Sequence, residues 1–158
     1  MTGGGSSIPE VQRLLAVLAA GKRCAELGTA FGEGAAAIAS TARSLVTAEV
    51  DPERARIARE RLAGLVNVEL FEGDWRDVLP QRGPFEFVFL DSGDWKEEPY
   101  RQRALDLAEP GGLLFKDDMT PDFPRPDPLR DWFFDHAELV ATEILTTPQT
   151  AAILATRR

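Results

Sequence analysis

The chain has 158 residues, 44% hydrophobic and 28% charged, which suits one domain of ordinary size with a packed core. Its formal net charge of −8 disfavours binding to bulk nucleic acid or to an anionic membrane surface. Its longest apolar run, Leu14–Ala20, is far shorter than the ~20 residues of a membrane span, and its single cysteine favours a reducing, cytoplasmic location.

Residues 1–8 are rich in glycine and serine and predict a flexible tail, followed by one domain over residues 9–158. The predicted helices are Ile8–Ala20, Phe31–Thr41, Asp51–Ala63, Tyr100–Ala108 and Pro128–His136, with a short turn or helix at Asp74–Leu79. The predicted strands are Lys22–Leu27, Ser44–Val50, Val66–Phe71, Phe85–Asp91 and Gly112–Asp117, then an antiparallel pair at Leu139–Thr146 and Gln149–Thr156. This alternation predicts an α/β fold with a mostly parallel central sheet, helices on both faces and a C-terminal antiparallel hairpin.

Acidic residues are concentrated where predicted strands end. They are Glu26, Glu49, Asp91 and the pair Asp117–Asp118. Ligands of open parallel sheets bind beyond the carboxyl ends of the strands, so the sequence predicts an acidic ligand site at that edge.

The stretch "CAELGTAFGEG", Cys24 to Gly34, predicts a cofactor loop between a strand and a helix. Its glycines allow close approach to the backbone. Their spacing differs from the G-x-G-x-x-G pattern of dinucleotide loops, and a carboxylate at Glu26 would repel a pyrophosphate. A cationic ligand such as S-adenosylmethionine (SAM), with a sulfonium, an ammonium and no phosphate, suits this loop better. The alternatives are a strand–turn–helix without any ligand and an NAD-binding reductase.

The longer stretch "AELGTAFGEGAAAIA" resembles the first motif of class I (Rossmann-like) SAM-dependent methyltransferases, especially the small-molecule O-methyltransferases. The resemblance implies the Rossmann-like methyltransferase fold and places the methionine end of SAM at this loop. The cofactor-binding residues that it implies there are Glu26, Gly28, Thr29, Gly32 and Gly34.

Two further stretches resemble motifs of the same family. In "LVTAEVDPERARIARERL", Glu49 is the expected acceptor for both ribose hydroxyls, and Asp51 is its rival, although a role as helix cap explains Asp51 equally well. In "VELFEGDWRDVLP", the family pattern assigns Asp74 to the adenine amino group and Trp75 to the adenine ring. The alternative is that Asp74 only caps a short helix, in a capping-box-like pair with Asp77.

The stretches "FEFVFLDSGDWKEEPY" and "PGGLLFKDDMTPD" resemble the metal-dependent catechol and caffeoyl-CoA type O-methyltransferases. The resemblance implies a Mg²⁺ or other divalent site at Asp91, Asp117 and Asp118, with Asp91 also near the cofactor. Lys96 is the candidate general base, although it lies two residues later than the family pattern has it. The alternative is that these aspartates cap loops and that Asp91 contacts substrate, as in metal-free class I enzymes.

Together these observations predict a SAM-dependent O-methyltransferase that acts on a hydroxyl of a small molecule, with a divalent metal. A metal-independent SAM methyltransferase and a non-catalytic SAM-binding module are the alternatives. The sequence before Glu26 has room for one covering helix at most, so the acceptor site is expected to be open, covered by the proline-rich loop Pro121–Pro128, or closed by a partner in a homodimer.

Overall fold

The structure is a computed structural model and describes residues 7–158. Most of the tail predicted at residues 1–8 therefore lies outside the described residues. The helices are α1 (Pro9–Ala19), α2 (Glu33–Ala39), α3 (Pro52–Arg61), α4 (Trp75–Val78), α5 (Tyr100–Leu105) and α6 (Pro128–Asp135). The strands are β1 (Arg23–Leu27), β2 (Ser44–Glu49), β3 (Val68–Glu72), β4 (Phe85–Leu90), β5 (Ala108–Met119), β6 (Leu139–Thr147) and β7 (Thr150–Arg157).

All seven strands form one sheet in the order β3-β2-β1-β4-β5-β7-β6. The first five strands pair in parallel, and β7 pairs antiparallel with both β5 and β6. The predicted mostly parallel sheet with a C-terminal antiparallel hairpin is therefore confirmed.

Each face of the sheet is covered by its own hydrophobic cluster, because apolar side chains occupy both faces of the central strands. One cluster includes Leu90, Trp95 and Phe133, and the other includes Phe89 of β4 together with Leu15 and other residues of α1 and α2. In β4, the run Phe87–Leu90 is fully buried, as expected for a central parallel strand with both faces covered.

The chain order reverses between β1 and β4, since β2 and β3 extend the sheet to one side and β5 to the other. At such a switch point the loops after adjacent strands diverge and leave a crevice at the carboxyl edge. No helix within residues 7–158 is both long and apolar enough to cross a membrane.

Candidate active site

A cavity of about 570 Å³ opens at the carboxyl edge of the sheet, above the switch point between β1 and β4. Its volume lies within the range usual for small-molecule sites. Residues predicted to bind cofactor or metal contribute to its wall: Gly28, Glu49, Asp74, Trp75, Asp91 and Asp118. The structure thus brings together residues from five separate sequence motifs.

The loop after β1 lies directly against the loop after β4. The Ser92 N–H donates to the Leu27 carbonyl at 2.6 Å, and a Cβ added to Gly28 would lie 3.0 Å from the Ser92 Cβ. Gly28 also has a φ of +84°, which side chains rarely adopt. Glycine at this position therefore lets the two loops meet at the floor of the cavity.

For the other two glycines of the loop, backbone conformation and packing within the protein explain why the residue is glycine. Gly32 begins α2 with a φ of +89°. A Cβ on Gly34 would lie 2.7 Å from Glu26 Oε1, so its absence leaves room for the Glu26 carboxylate under the helix. Neither glycine lines the cavity in the structure, and their assignment to cofactor contact stays a prediction.

Glu26 is fully buried beneath the cavity and is connected to two threonines. The Thr47 hydroxyl donates to Glu26 Oε2 at 2.7 Å and lies 2.5 Å from the Thr29 hydroxyl. Glu26 Oε1 has no hydrogen-bond partner among residues 7–158. Burial, and secondarily the negative charge of Asp91, raises the pKa of Glu26 well above its ordinary value. Thr29 thus directs its hydroxyl into the protein, and Thr47 is a contributor that the motifs did not indicate.

Glu49 lies at the end of β2, and its carboxylate is held in a fixed orientation by two backbone amides. Ala30 N–H donates to Oε2 at 2.8 Å, and Asp51 N–H donates to Oε1 at 2.9 Å. The carboxylate lines the cavity and retains acceptor capacity, because each oxygen offers two lone pairs. Two fixed acceptors on one carboxylate suit a pair of vicinal hydroxyls.

Asp51 caps α3, since its Oδ1 accepts from the N–H groups of Glu53 at 2.9 Å and Arg54 at 3.0 Å. That cap was the alternative explanation for Asp51, and the structure confirms it.

Asp74 caps α4, and it also forms side-chain hydrogen bonds that the sequence did not predict. Its Oδ1 accepts from the Arg76 N–H at 2.9 Å, and the Arg76 side chain binds both carboxylate oxygens. This hydrogen-bonded guanidinium lowers the pKa of Asp74. Trp75 lines the same side of the cavity, where its Nε1–H donates to Asp94 Oδ1 at 3.0 Å. The adenine assignments of both residues stay predictions.

The three predicted metal ligands differ in their surroundings. Asp91 lines the cavity, and burial followed by the charge of Asp117 raises its pKa to about 7. Asp117 is buried, whereas Asp118 is exposed and has a φ of +55°. Within residues 7–158, no group of three or more Asp, Glu, His or Cys side chains is arranged to hold a metal ion. The side chains of the adjacent pair in β5 lie in different environments, and the assignment of the three aspartates to a metal stays a prediction.

A buried lysine accompanies these aspartates, and the sequence reasoning missed it. Lys116 is only 3% exposed, and its Nζ lies 3.6 Å from Asp117 Oδ1 and donates to the Asp117 carbonyl. Burial raises the pKa of both Asp91 and Asp117, and the positive charge of Lys116 only partly opposes that rise. A signal was present in "GGLLFKDD", where a cation interrupts an otherwise apolar buried strand directly before the acidic pair.

Lys96 ends a short 3₁₀ helix, Asp94–Lys96, in the loop after β4, and its side chain is half-buried. Burial, followed by the nearby charge of Lys116, lowers the pKa of Lys96. Its neighbour Trp95 is fully buried against Trp132 and Phe133, which anchors the loop to α6. Lys96 does not line the cavity itself.

The proline-rich loop 121–128 is tied down at both ends by Arg130 of α6. The guanidinium donates to the Thr120 carbonyl at 2.9 Å before the loop and to the Asp127 carboxylate at its end. Glu143 of β6 binds the same guanidinium at 2.6 and 3.0 Å. The loop is thus anchored to the sheet, and its role as a cover for the acceptor stays a prediction.

The chain was compared with known proteins. No protein-family profile matches it. It is 36% identical over 122 residues to a catechol O-methyltransferase from Niastella koreensis, covering 70% of this chain and 55% of that protein. Its fold superposes on cofactor-bound Rv0187 from MTB, with a TM-score of 0.81, 28% identity, and coverage of 97% of this chain and 82% of that one.

A second crystal structure, the O-methyltransferase TomG from Streptomyces achromogenes in complex with SAM, superposes with a TM-score of 0.75 and 26% identity, covering 99% of this chain and 83% of that one. The fold, the crevice at its switch point and these likenesses make the chain a class I SAM-dependent methyltransferase by family. Within that class it resembles the catechol and caffeoyl-CoA type O-methyltransferases, as the motifs predicted. The chain spans about half the length of the curated relatives that it matches.

Proposed function

We propose that this protein transfers a methyl group from SAM to a hydroxyl of a small molecule. The observation that carries the proposal is the cavity at the switch point, which gathers Gly28, Glu49 and Asp91 from the carboxyl ends of three strands. Similarity to O-methyltransferases, one of them in complex with SAM, supports the choice of cofactor and reaction.

The proposed cofactor site fits the charge of SAM. Glu49 presents a fixed carboxylate for the ribose hydroxyls. Asp91 and the buried Glu26 are carboxyl groups near the loop proposed for the methionine end, where a cationic ligand would favour their ionised forms. Trp75 offers an aromatic surface at the side assigned to adenine. Glu26 Oε1 is a buried acceptor without a donor among the described residues, which supports a cationic group nearby.

SAM supplies the methyl group on its sulfonium: the bond from sulfur to the methyl carbon breaks as the bond from the acceptor oxygen to that carbon forms, giving a methyl ether and S-adenosylhomocysteine. We propose that Lys96 accepts the proton of the acceptor hydroxyl. The lowered pKa of Lys96 supports this role, because it increases the fraction of neutral amine near pH 7.

The predicted divalent metal fits the described residues poorly. Asp91 and Asp117 would be the ligands, but the Lys116 ammonium already lies 3.6 Å from Asp117 Oδ1, and Asp118 is exposed. We therefore derive no step through a metal. This observation favours the metal-independent methyltransferase, which was the alternative.

The first experiment is thermal unfolding with and without SAM, each in Mg²⁺ and in EDTA, with NAD⁺ as a comparison ligand. SAM at ~100 times its dissociation constant should add ~2.7 kcal/mol to the free energy of unfolding, a shift of several degrees. A folded sample that shows no SAM shift would overturn the proposal, and a shift with NAD⁺ alone would point to a reductase.

The second experiment follows transfer of a radiolabelled methyl group from SAM to catechols and monohydric phenols. Transfer to any of them supports the enzyme, and the preference between vicinal and single hydroxyls defines the acceptor class. Binding of SAM without transfer to a broad acceptor panel would favour the non-catalytic module. Sedimentation equilibrium tests the predicted homodimer.

A further inference from the structure

Lys116 lies at the carboxyl ends of β4 and β5, beside the acidic residues at these strand ends. The last paired residues of β4 and β5 are Phe89 and Phe115. Continuing this parallel register by two residues puts Asp91 opposite Asp117, and neighbouring strands lie about 4.8 Å apart. Lys116 precedes Asp117 in β5, so its ammonium shares the same small region as the two carboxylates.

The Lys116 ammonium is built into this region. The side chain is almost completely removed from water, and its Nζ contacts Asp117 twice, through the carbonyl and, at 3.6 Å, through Oδ1. A buried ammonium is costly unless it is paired and hydrogen-bonded. Here the hydrogen bond goes to the Asp117 carbonyl, and Asp117 Oδ1, which has no hydrogen-bond partner among the described residues, lies within ion-pair distance of Nζ.

A divalent cation in the same place would meet this fixed positive charge at close range. Asp117 Oδ1 would have to turn from Lys116 toward the metal, which would leave the ammonium buried with one fewer anionic partner. A divalent metal and the Lys116 ammonium would thus compete to neutralise the same carboxylates. Among the described residues, the cation present is the Lys116 ammonium.

We propose that the Lys116 ammonium occupies the functional place of the divalent cation in this protein, balancing the charge of the Asp117 carboxylate next to Asp91 at the cofactor cavity. Lys116 is a positioning residue, since it acts through the two aspartates. The role of Asp91 toward the cofactor rests on the proposed function, whereas the exclusion of metal does not.

The test compares wild type with Lys116→Met, which removes the charge and keeps an unbranched apolar side chain of similar length. Lys22→Met is the matched control, because Lys22 precedes β1 at the opposite, amino edge of the sheet. Each protein is titrated with Mn²⁺ and bound metal is measured by electron paramagnetic resonance, without SAM or acceptor. SAM affinity and methyl transfer are then measured in EDTA and in Mg²⁺.

We expect the wild type and Lys22→Met to bind no Mn²⁺ up to millimolar concentration and to be indifferent to EDTA. Lys116→Met should bind Mn²⁺ at least about tenfold more tightly than the wild type does, because two carboxylates then lack a cation. It should also lose methyl transfer in EDTA and recover part of it in Mg²⁺. A metal effect of this kind would not arise from loss of packing alone.

Wild-type protein that binds Mn²⁺ as well as Lys116→Met, or that loses activity in EDTA, would overturn the proposal. If Lys116→Met does not fold, Lys116→Arg keeps a cation and should remain unable to bind Mn²⁺, and Mn²⁺ binding by Lys116→Arg or by wild type would count against it. Absence of SAM binding would refute the proposed function but would leave the Mn²⁺ result valid, so the two failures are distinguishable.

Discussion

The acidic strand ends on the two sides of the switch point are stabilised in different ways. On the side of β1 and β2, Glu26 and Glu49 are held by uncharged donors, a threonine hydroxyl and two backbone amides. On the side of β4 and β5, Asp91 and Asp117 lie near a buried ammonium, that of Lys116.

This difference separates two tasks within one cavity. Neutral donors orient the Glu49 carboxylate without cancelling its charge, which leaves that charge available to a cationic or hydroxyl-bearing ligand. A buried ammonium cancels charge, which allows two carboxylates to lie close together without a further cation. The first pattern suits cofactor binding, and the second suits an acceptor site that needs little net charge.

The largest effect is expected from removing a negative charge on the side of β4 and β5. Asp117→Asn should lower the free energy of unfolding by about 3 kcal/mol, because it removes one partner of a buried ion pair and leaves Lys116 less compensated. Urea unfolding at pH 7 measures it.

Asp118→Asn is the matched control for this change, because Asp118 is adjacent but exposed, and asparagine tolerates its positive φ. Its effect should stay within about 0.5 kcal/mol. Equal effects of the two substitutions on the free energy of unfolding would show that the buried Lys116 ammonium is not stabilised by the Asp117 carboxylate.

The second largest effect is expected for SAM binding at Glu49, on the side of β1 and β2. Glu49→Gln should weaken SAM binding about 10- to 100-fold. Its amide nitrogen cannot accept, so either the Ala30 or the Asp51 N–H loses its acceptor, and a charge-assisted bond to the ligand is lost. Isothermal titration calorimetry measures the dissociation constant. Glu72→Gln, at the register partner of Glu49 in β3, is the control and should bind SAM like wild type. Unchanged affinity of Glu49→Gln would refute the ribose assignment.

A smaller effect concerns the threonines that support Glu26. Thr47→Val keeps the shape of the side chain but removes the hydroxyl that contacts both Glu26 and Thr29. Buried polar atoms then lose their partner, at a cost of about 1–2 kcal/mol in unfolding free energy. Thr142→Val on the exposed face of β6 should change stability little. Similar denaturation midpoints for Thr47→Val and wild type would argue against a structural role for this hydroxyl.

The smallest effect is a change in pH dependence. The pKa of Glu26 is raised in the folded protein, so between its ordinary value of 4.5 and the folded value the native state keeps a proton that the unfolded chain releases. This contribution to stability is present below pH 4.5 and is lost as pH rises. Glu26→Gln should therefore flatten the decline in unfolding free energy above pH 4.5, as followed by urea titrations from pH 4 to 8. Parallel curves for variant and wild type would show that Glu26 titrates normally.

Local signals in the sequence predicted much of this molecule. Apolar periodicity and helix-start signals such as Asp51-Pro52 indicated the helices and strands, because these patterns reflect burial and backbone chemistry that act over a few residues. The mostly parallel sheet with its C-terminal antiparallel hairpin followed from the alternation of strands and helices. The acidic strand ends also indicated the correct edge for the cavity.

Contacts between distant residues decided the rest. The pairing of Thr47 with Glu26 joins two strands, and the space that Gly34 leaves for the Glu26 carboxylate exists only once α2 packs on β1. Whether Asp91, Asp117 and Asp118 form a metal site depends on where each carboxylate points and on which cation lies beside it, and neither is written in their spacing. Local sequence patterns were enough to predict the fold, the family resemblance and the edge of the sheet that carries the site. The position of the Lys116 ammonium beside Asp117 emerged only from the folded chain, because charge compensation depends on distance and burial in three dimensions.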